Sequence, residues 1–393
     1  MRVLFINSVC GKGSTGRICT DIADRLGELG HESFFAYGRG EAPEKYRENA
    51  FRVGTDGGVL LRGGLARVFD NSGFTGRAAT NALIDHIEKL DPDIIHLHNL
   101  HGYYLDVERF FAWLKFADKR VVWTLHDCWP FTGHCAHFDF CGCDRWKTEC
   151  FSCPEKKSYP ASLLLDRSRS NRERKKAAFC GVGGMTVVSP SRWLDGLVRE
   201  SFLSEYESLV IPNGINTDVF KPTASDFQKR MGLGDRRIVL GVASVWNRRK
   251  GFEDMAELAS ILGDGYAVVI VGVTPEQKKR LPEKITAVTG TDSISELAEI
   301  YSAAHVFVNP TYEDNYPTVN LEAVACGTPV ITYATGGSPE SADASCVVPR
   351  GRIDLLAEKI RCEDAVLPHG LDTDRVSMAN KYISLYKKKL GVL

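Results

Sequence analysis

Residues 306–332 read VFVNPTYEDNYPTVNLEAVACGTPVIT. Val306–Asn309 has the short, β-branched and aromatic run of a buried strand, and Pro329–Thr332 reads as another. Between them Pro317 suits the first position of a helix and Gly327 the residue just past its last. Strand, loop, short helix and strand predict a parallel crossover. The start of such a helix turns unpaired amides outward and attracts phosphate. Glu322 falls one turn inside, where a carboxylate could accept hydrogen bonds from ribose hydroxyls.

The same alternation extends in both directions. Strands are expected at Val3–Asn7, Ser33–Tyr37, Ile94–Leu97, Arg120–Leu125, Thr186–Ser189 and Leu209–Ile211, with helices at Gly16–Leu29 and Ala78–Leu90. A turn-rich stretch around Pro212-Asn213-Gly214 and Lys221-Pro222 follows. Beyond it come strands at Ile238–Val242 and Ala267–Val271, and a helical pattern over Thr373–Leu390. The fold class is therefore α/β: two Rossmann-like domains with parallel sheets facing an interdomain cleft, divided as 1–211, 223–372 and a C-terminal helix over 373–393 that packs back toward the first. Ligands of such sheets bind beyond the carboxyl ends of the strands.

The 393 residues exceed the usual size of one domain. Lys and Arg (49) nearly cancel Asp and Glu (50), so no overall field argues for nucleic acid as a partner. The apolar run at Val3–Ile6 is too short for a secretory leader, and no stretch reaches the ~20 apolar residues of a bilayer span. A cytoplasmic location is expected. Twelve cysteines are present, six of them between Cys128 and Cys153. With no secretory leader, that crowding points to metal ligands before disulfides.

Gly11-Lys12-Gly13-Ser14-Thr15-Gly16 has the G-x-G-x-x-G spacing of dinucleotide sites. A nicotinamide enzyme would also place an acid about 20 residues on, whereas the second strand ends Ala36-Tyr37-Gly38. The loop also starts late, because Ser8-Val9-Cys10 follow the expected strand. It reads better as a helix-opening turn in which Gly13 walls a ligand cleft.

The segment Glu313-Asp314 to Glu322 resembles the E-x7-E signature of glycosyltransferase family 4, retaining nucleotide-sugar transferases of the GT-B fold. The resemblance implies that Glu322 binds the nucleotide ribose. It also implies that the region of Asp314, Asn315, Pro317, Thr318 and Val319 holds the donor. Asp314 stands where the family has Glu. In Ser244–Phe252 the pair Lys250-Gly251 matches the family's diphosphate-binding cation, but position 245 is Val where the family has Arg; Arg249 or Arg248 could supply that charge, and Arg249 is the preferred candidate. His126, in Thr124-Leu125-His126-Asp127-Cys128-Trp129, matches a His that contacts the donor sugar. Ser189–Trp193, Ile211–Asn216 and Thr335–Glu340 fit as well, so the resemblance covers nearly the whole chain. His96, His98 and His101 offer a rival metal cluster, with His96 and His98 on one side of a strand.

What the resemblance implies is an EC 2.4 enzyme, a hexosyl- or related transferase. It would move a sugar from a nucleoside diphosphate to a glycan or lipid-linked hydroxyl with retention, without a catalytic metal, in polysaccharide or glycoconjugate biosynthesis. Oriented cations and amides would stabilise the leaving charge. The rival readings are a non-catalytic glycan- or nucleotide-binding protein on the same fold, and a nicotinamide oxidoreductase.

Cys135-x7-Cys143-x6-Cys150-x2-Cys153, within an insertion at 128–154, offers four thiolates for a structural Zn²⁺. Cys141 competes with Cys143, and Cys128 and His134 stand in reserve. A subgroup of the family carries a similar cysteine set. Between residues 163 and 179, Leu163-Leu164-Leu165 precede Arg167, Arg169, Arg172, Arg174, Lys175 and Lys176. A basic segment with an apolar edge could rest on the anionic inner face of a membrane and meet a lipid-linked acceptor.

Overall fold

A computed structural model describes residues 1–392. The chain forms two compact units, Met1–Pro212 together with residues from Met378 onward, and Asn213–Ser377. In the first, strands β1 (Arg2–Val9), β2 (Glu32–Arg39), β3 (Ala50–Arg52), β4 (Ile94–Leu97), β5 (Arg120–Thr124), β6 (Met185–Ser189) and β7 (Glu207–Val210) make one parallel sheet in the order β3-β2-β1-β4-β5-β6-β7. Helices α1 (Gly13–Glu28), α2 (Asp56–Phe69), α3 (Arg77–Leu90), α4 (Val107–Leu114), α5 (Ser168–Phe179) and α6 (Arg192–Glu200) connect them.

The second unit repeats the plan. Strands β8 (Arg237–Val242), β9 (Tyr266–Val271), β10 (Ile285–Val288), β11 (Val306–Asn309), β12 (Val330–Tyr333) and β13 (Val347–Val348) lie parallel in the order β10-β9-β8-β11-β12-β13. Its helices are α7 (Phe227–Arg230), α8 (Phe252–Ile261), α9 (Pro275–Arg280), α10 (Ile294–Ala303), α11 (Thr318–Ala325) and α12 (Ile353–Arg361). The last helix, α13 (Arg375–Leu390), lies mostly in the first unit.

Period-two side-chain direction explains the layering. In β1, Val3 and Phe5 enter one core with Ile18, Ile22 and Leu26 of α1, while Leu4 and Ile6 enter the opposite core with Phe110 and Trp123. Tyr382 and Tyr386 of α13 close the first of these cores, and the Tyr386 hydroxyl lies 2.6 Å from His96 Nδ1. The second unit does the same, with Val239 in one core and Ile238 and Leu240 in the other.

Strand order reverses between β1 and β4, and again between β8 and β11. Those are the switch points where the loops leaving neighbouring strands diverge and open a crevice. Strand β1 runs through Val9, two residues past the expected end, because Ser8 is still buried within the sheet. The glycine loop therefore follows the strand directly, which corrects the expectation of a late loop. Pro317 also differs from expectation: it caps α11, and Thr318 takes the first helical position. No helix among the described residues is long and apolar enough to cross a membrane.

Candidate functional site

In the second unit the site is assembled from three loops at the carboxyl ends of β8, β11 and β12. The chain leaving β8 makes a tight turn over Arg248–Lys250, where Asn247 Oδ1 accepts a hydrogen bond from the Lys250 amide at 3.1 Å. Gly251 ends that turn at φ +73°, and a Cβ there would lie 2.2 Å from the Pro310 carbonyl oxygen. Only glycine lets the turn press against the loop leaving β11. The contact is then fastened by the Tyr312 amide, which donates to the Arg249 carbonyl at 2.8 Å.

Side chains extend the same junction. Arg249 Nη1 donates to the Glu313 carbonyl at 2.7 Å, and the Lys250 ammonium pairs with the Asp314 carboxylate. The loop after β12 closes from the other side. Gly336, at φ +55°, lies so close to the 311–316 loop that a Cβ would fall 1.9 Å from the Asp314 carbonyl oxygen, and the Gly337 amide donates to that oxygen at 3.0 Å. The structure thus brings Arg249, Lys250 and Asp314 together within three residues of Pro317.

Helix α11 begins at the same place. Pro317 has no side chain able to cap the first turn, so no side chain there covers the amides of Thr318 and Val319. An uncapped helix start beside two cations favours an anion. Asn320, one position further, turns inward and bonds Asn309 at 2.8 Å and Ser341 at 2.9 Å, which fixes the helix against its sheet. Glu322 is buried, at 5% exposure, and its Oε2 accepts from the Tyr301 hydroxyl of α10 at 3.0 Å. Sequence reasoning missed Tyr301, which stands 21 positions away on another helix.

In the first unit the corresponding loops follow β1, β4 and β5. Gly13, at φ +64°, opens α1, and a Cβ there would meet nothing within 4 Å. Gly11 is instead packed, with a Cβ falling 2.5 Å from the Pro43 ring. His126 is half-buried just past β5, and its Nε2 lies 2.9 Å from His98 Nδ1. Burial pushes the His126 imidazole down to about 4, against a smaller upward pull from Asp127. Asp127 is held by His101 Nε2 at 2.7 Å and by the Trp129 amide at 2.9 Å. Burial alone would raise its carboxyl, but His101 brings it down to about 2.

The three histidines expected as a rival metal cluster do not act together. His96 is occupied by Thr124 at 2.8 Å and Tyr386, His98 by His126, and His101 by Asp127 and the Tyr159 hydroxyl at 2.9 Å. His98 keeps one buried nitrogen, Nε2, without a hydrogen bond.

Cys135, Cys143, Cys150 and Cys153 line one small cavity together with His134, whereas Cys141 is exposed and donates to the Phe138 carbonyl. The Cys135 and Cys153 side chains are hydrogen-bonded to each other, and no described cysteine is in a disulfide. His134 Nδ1 lies 2.5 Å from the Asp70 carboxylate, and its Nε2 is buried without a partner. Among the described residues no three such groups are spaced to share a metal ion as they stand.

The basic segment differs from an open cationic face. Arg172 and Lys175 point inward, Lys175 donating to the carbonyls of Trp129 at 2.7 Å and Thr132 at 3.1 Å. Arg174 pairs with Glu108 and Arg169 with Glu149. Helical spacing puts residues 172 and 175 on the face that packs against the cysteine-bearing insertion.

Comparison with known proteins adds to this geometry. Residues 15–219 match the family model described as Glycosyltransferase Family 4, and residues 236–362 match the one described as Glycosyl transferases group 1. The chain is similar to a protein assigned to colanic acid biosynthesis, the glycosyl transferase WcaC of Escherichia coli strain K12, with 26% identity over 363 residues covering 86% of this chain and 85% of that one. Among solved structures, sucrose-phosphate synthase from Thermosynechococcus elongatus superposes with a TM-score of 0.72 at 20% identity over the full length of both chains. HepE of Anabaena, in complex with UDP-glucose, superposes with a TM-score of 0.62 at 14% identity, covering 99% of this chain and 95% of that one. At those identities the superpositions establish a shared fold of two parallel-sheet units.

Proposed function

The chain belongs to glycosyltransferase family 4, and from that premise we propose that it transfers a sugar from a nucleoside diphosphate to a hydroxyl of a glycan or lipid-linked acceptor, in polysaccharide or glycoconjugate biosynthesis. The observation that carries this reading is the junction of the Arg249–Lys250 turn with the Glu313–Asp314 backbone, directly before the uncapped start of α11. Two cations and a helix dipole at one point suit a diphosphate, and they stabilise the charge that grows on it as the glycosidic bond breaks. Such groups act in the transition state more than in the ground state, because the charge on the leaving oxygen increases as the reaction proceeds.

The remaining residues take roles around that anion. Glu322 receives the ribose hydroxyls, with Tyr301 holding its carboxylate in place. Asn315, Pro317, Thr318 and Val319 border the phosphates, and Asp314 faces the transferred sugar once the diphosphate draws Lys250 away. The second unit holds the donor and the first the acceptor, with Gly13 leaving open space beside α1. His126 contacts the sugar as a neutral imidazole, in keeping with its lowered pKa. Retention of configuration and independence from a catalytic divalent ion belong to this reading. So does a structural zinc ion on Cys135, Cys143, Cys150 and Cys153. Its support is that the four thiols share one cavity with the unpaired His134 nitrogen. A cytoplasmic protein touching the inner membrane face through 163–179 completes it.

Thermal-shift screening against nucleoside diphosphates and their sugars, followed by a transfer assay with the stabilising donor, tests the proposal. Stabilisation by one nucleoside diphosphate and its sugar, with nucleotide released when acceptor is added in the presence of a chelator, is expected. Binding without release under any acceptor would favour the non-catalytic alternative, for which the Asp314 and Val245 departures speak.

A further inference from the structure

In the first unit β2, β1 and β4 lie side by side, and one basic side chain spans their carboxyl ends. Arg39 is the last residue of β2, in register with Val9 of β1. Its guanidinium reaches the loop leaving β4, where Gly102 stands at φ +113°. A Cβ at Gly102 would fall 3.4 Å from Arg39 Nε and 3.3 Å from the Ser8 side chain. The bare backbone leaves the guanidinium room to lie across the switch point, where an open parallel sheet takes its ligand.

Two tyrosines stand beside it. Tyr103 sits at φ +67°, a left-handed conformation uncommon for a residue with a large side chain. Arg62 of α2 holds it there, its Nε donating to the Tyr103 carbonyl at 2.7 Å, and the ring packs against Gly63, where a Cβ would lie 3.3 Å away. A strained residue kept in place by another element is a feature of binding sites. Burial raises the pKa of both phenols, against an opposing pull from Arg67 and Arg39 on Tyr103 and from Arg39 on Tyr159. The two hydroxyls therefore share Arg39 as a neighbour.

What the cluster lacks is an anion. Arg39 Nε is buried without a hydrogen-bond partner, and Arg39 makes no ion pair among the described residues. A donor on a charged group is costly to leave so. Asp127, the carboxylate that acts on Tyr159, is already engaged by His101 Nε2 at 2.7 Å and the Trp129 amide at 2.9 Å, and Arg52 of the adjoining β3 has its own partner in Asp56. With His101 Nε2 donating to Asp127, the Nδ1 of the neutral ring accepts from the Tyr159 hydroxyl at 2.9 Å. The Tyr159 oxygen is then left to accept from Arg39, which fixes the guanidinium and leaves Nε as its unused donor.

We propose that the first unit selects an acceptor whose sugar carries an acidic group, a carboxylate or a phosphate, and that Arg39 and the Tyr103 hydroxyl bind that group. The inference rests on the transferase reading above and narrows its acceptor to an anionic glycan. A guanidinium edge matches either oxyanion, and a phenol adds one further donor. Tyr159 is a positioning residue, the link between Arg39 and the His101–Asp127 pair. That chain of bonds ends next to His126 in sequence, so an acid held at Arg39 would tether the acceptor close to the residue assigned to the donor sugar. A neutral sugar leaves the Arg39 edge unpaired, and the site then discriminates by charge.

The test uses the full chain and saturation-transfer NMR with D-glucuronate, D-glucose 6-phosphate and D-glucose as probes. The wild type should bind at least one anionic probe about tenfold or more tightly than D-glucose, the worth of one hydrogen bond to a charged group. Preference for glucuronate alone assigns a carboxylate, and for glucose 6-phosphate alone a phosphate. Arg39→Gln should abolish the preference. Tyr103→Phe keeps the ring and should reduce it several-fold, and it carries the test if Arg39→Gln lowers the melting temperature. Lys250→Ala, altered in the other unit, should retain it. A wild type indifferent to the acid, or a preference that survives both first-unit changes, overturns the proposal. A preference lost in Lys250→Ala also overturns it, because the acid then sits with the donor groups. A chain that prefers the acid through Arg39 but takes up no nucleoside diphosphate keeps this site and loses the transferase reading; one that takes up the diphosphate and ignores the acid loses only this inference.

Discussion

Lys250 is held by the Asp314 carboxylate. On the proposed reading, a bound diphosphate would exchange one anion for another at this ammonium and release Asp314. Lys250→Ala should lower kcat by about 10²–10³, the cost of removing one group aimed at developing charge. Asp314→Asn should act differently: the cation is no longer engaged in advance, so affinity for the free nucleoside diphosphate should rise or hold while sugar transfer falls. Calorimetry beside steady-state rates separates the two. Tyr301→Phe, which removes the hydroxyl that steadies Glu322, should raise the donor KM several-fold and leave melting nearly unchanged.

Three histidines of the first unit give a pH signature. Burial lowers the pKa of His96, His98 and His126, so the folded protein keeps them neutral where the unfolded chain would protonate them. The unfolded state then binds more protons below its own histidine pKa, and stability falls as pH drops through about 6.5. At pH 5.5 each histidine that stays neutral should cost about 1.4 kcal/mol. Melting at pH 7.5 and 5.5 measures it. His98→Asn, which keeps a donor near the Nδ1 position, should lessen the drop, and a pH-independent Tm would contradict the assignment.

At the scale of elements, the close approaches of loops matter more than the strands. Gly251→Ala places a methyl against the Pro310 carbonyl at a positive φ, and should cost about 3 kcal/mol or more, a fall in Tm on the order of 10 °C. Much of this level was legible beforehand. Strong β-branched runs such as Val306–Asn309 and Ile94–Leu97 match the observed strands to the residue, because strands buried on both faces leave continuous apolar text. Helix α2 was not legible: its glycines weaken the helical pattern and its apolar stripe faces away from the core, so periodicity gives no direction for burial. The three-residue β3 and two-residue β13 sit at sheet edges, where too few side chains are buried to leave a pattern.

The candidate site was legible in its parts and not in its joins. Lys250, Asp314 and Glu322 stood out by spacing, but the Lys250–Asp314 pair joins residues 64 apart and the Tyr301–Glu322 bond joins two helices. Nothing local in the sequence encodes those contacts. Likewise the basic run at 167–176 looked uniform as text, while the fold turns Arg172 and Lys175 into the interior and pairs two others.

For the molecule as a whole, both units share the same switch-point layout, and the proposed function assigns the anion-binding groups to the second and the buried histidines His96, His98 and His126 to the first. Metal analysis of the purified protein addresses the cysteine cavity separately: about one zinc per chain, lost together with stability in Cys150→Ser, is expected if the thiols hold an ion, and a metal-free protein of equal stability would argue against it. The most direct trial of the account is calorimetric titration of the nucleoside diphosphate into the wild type, Lys250→Ala and Glu322→Gln. One saturable site, weakened at least about tenfold by either change, is predicted. Equal affinity in all three proteins would show that the Lys250 turn and the start of α11 do not hold the donor.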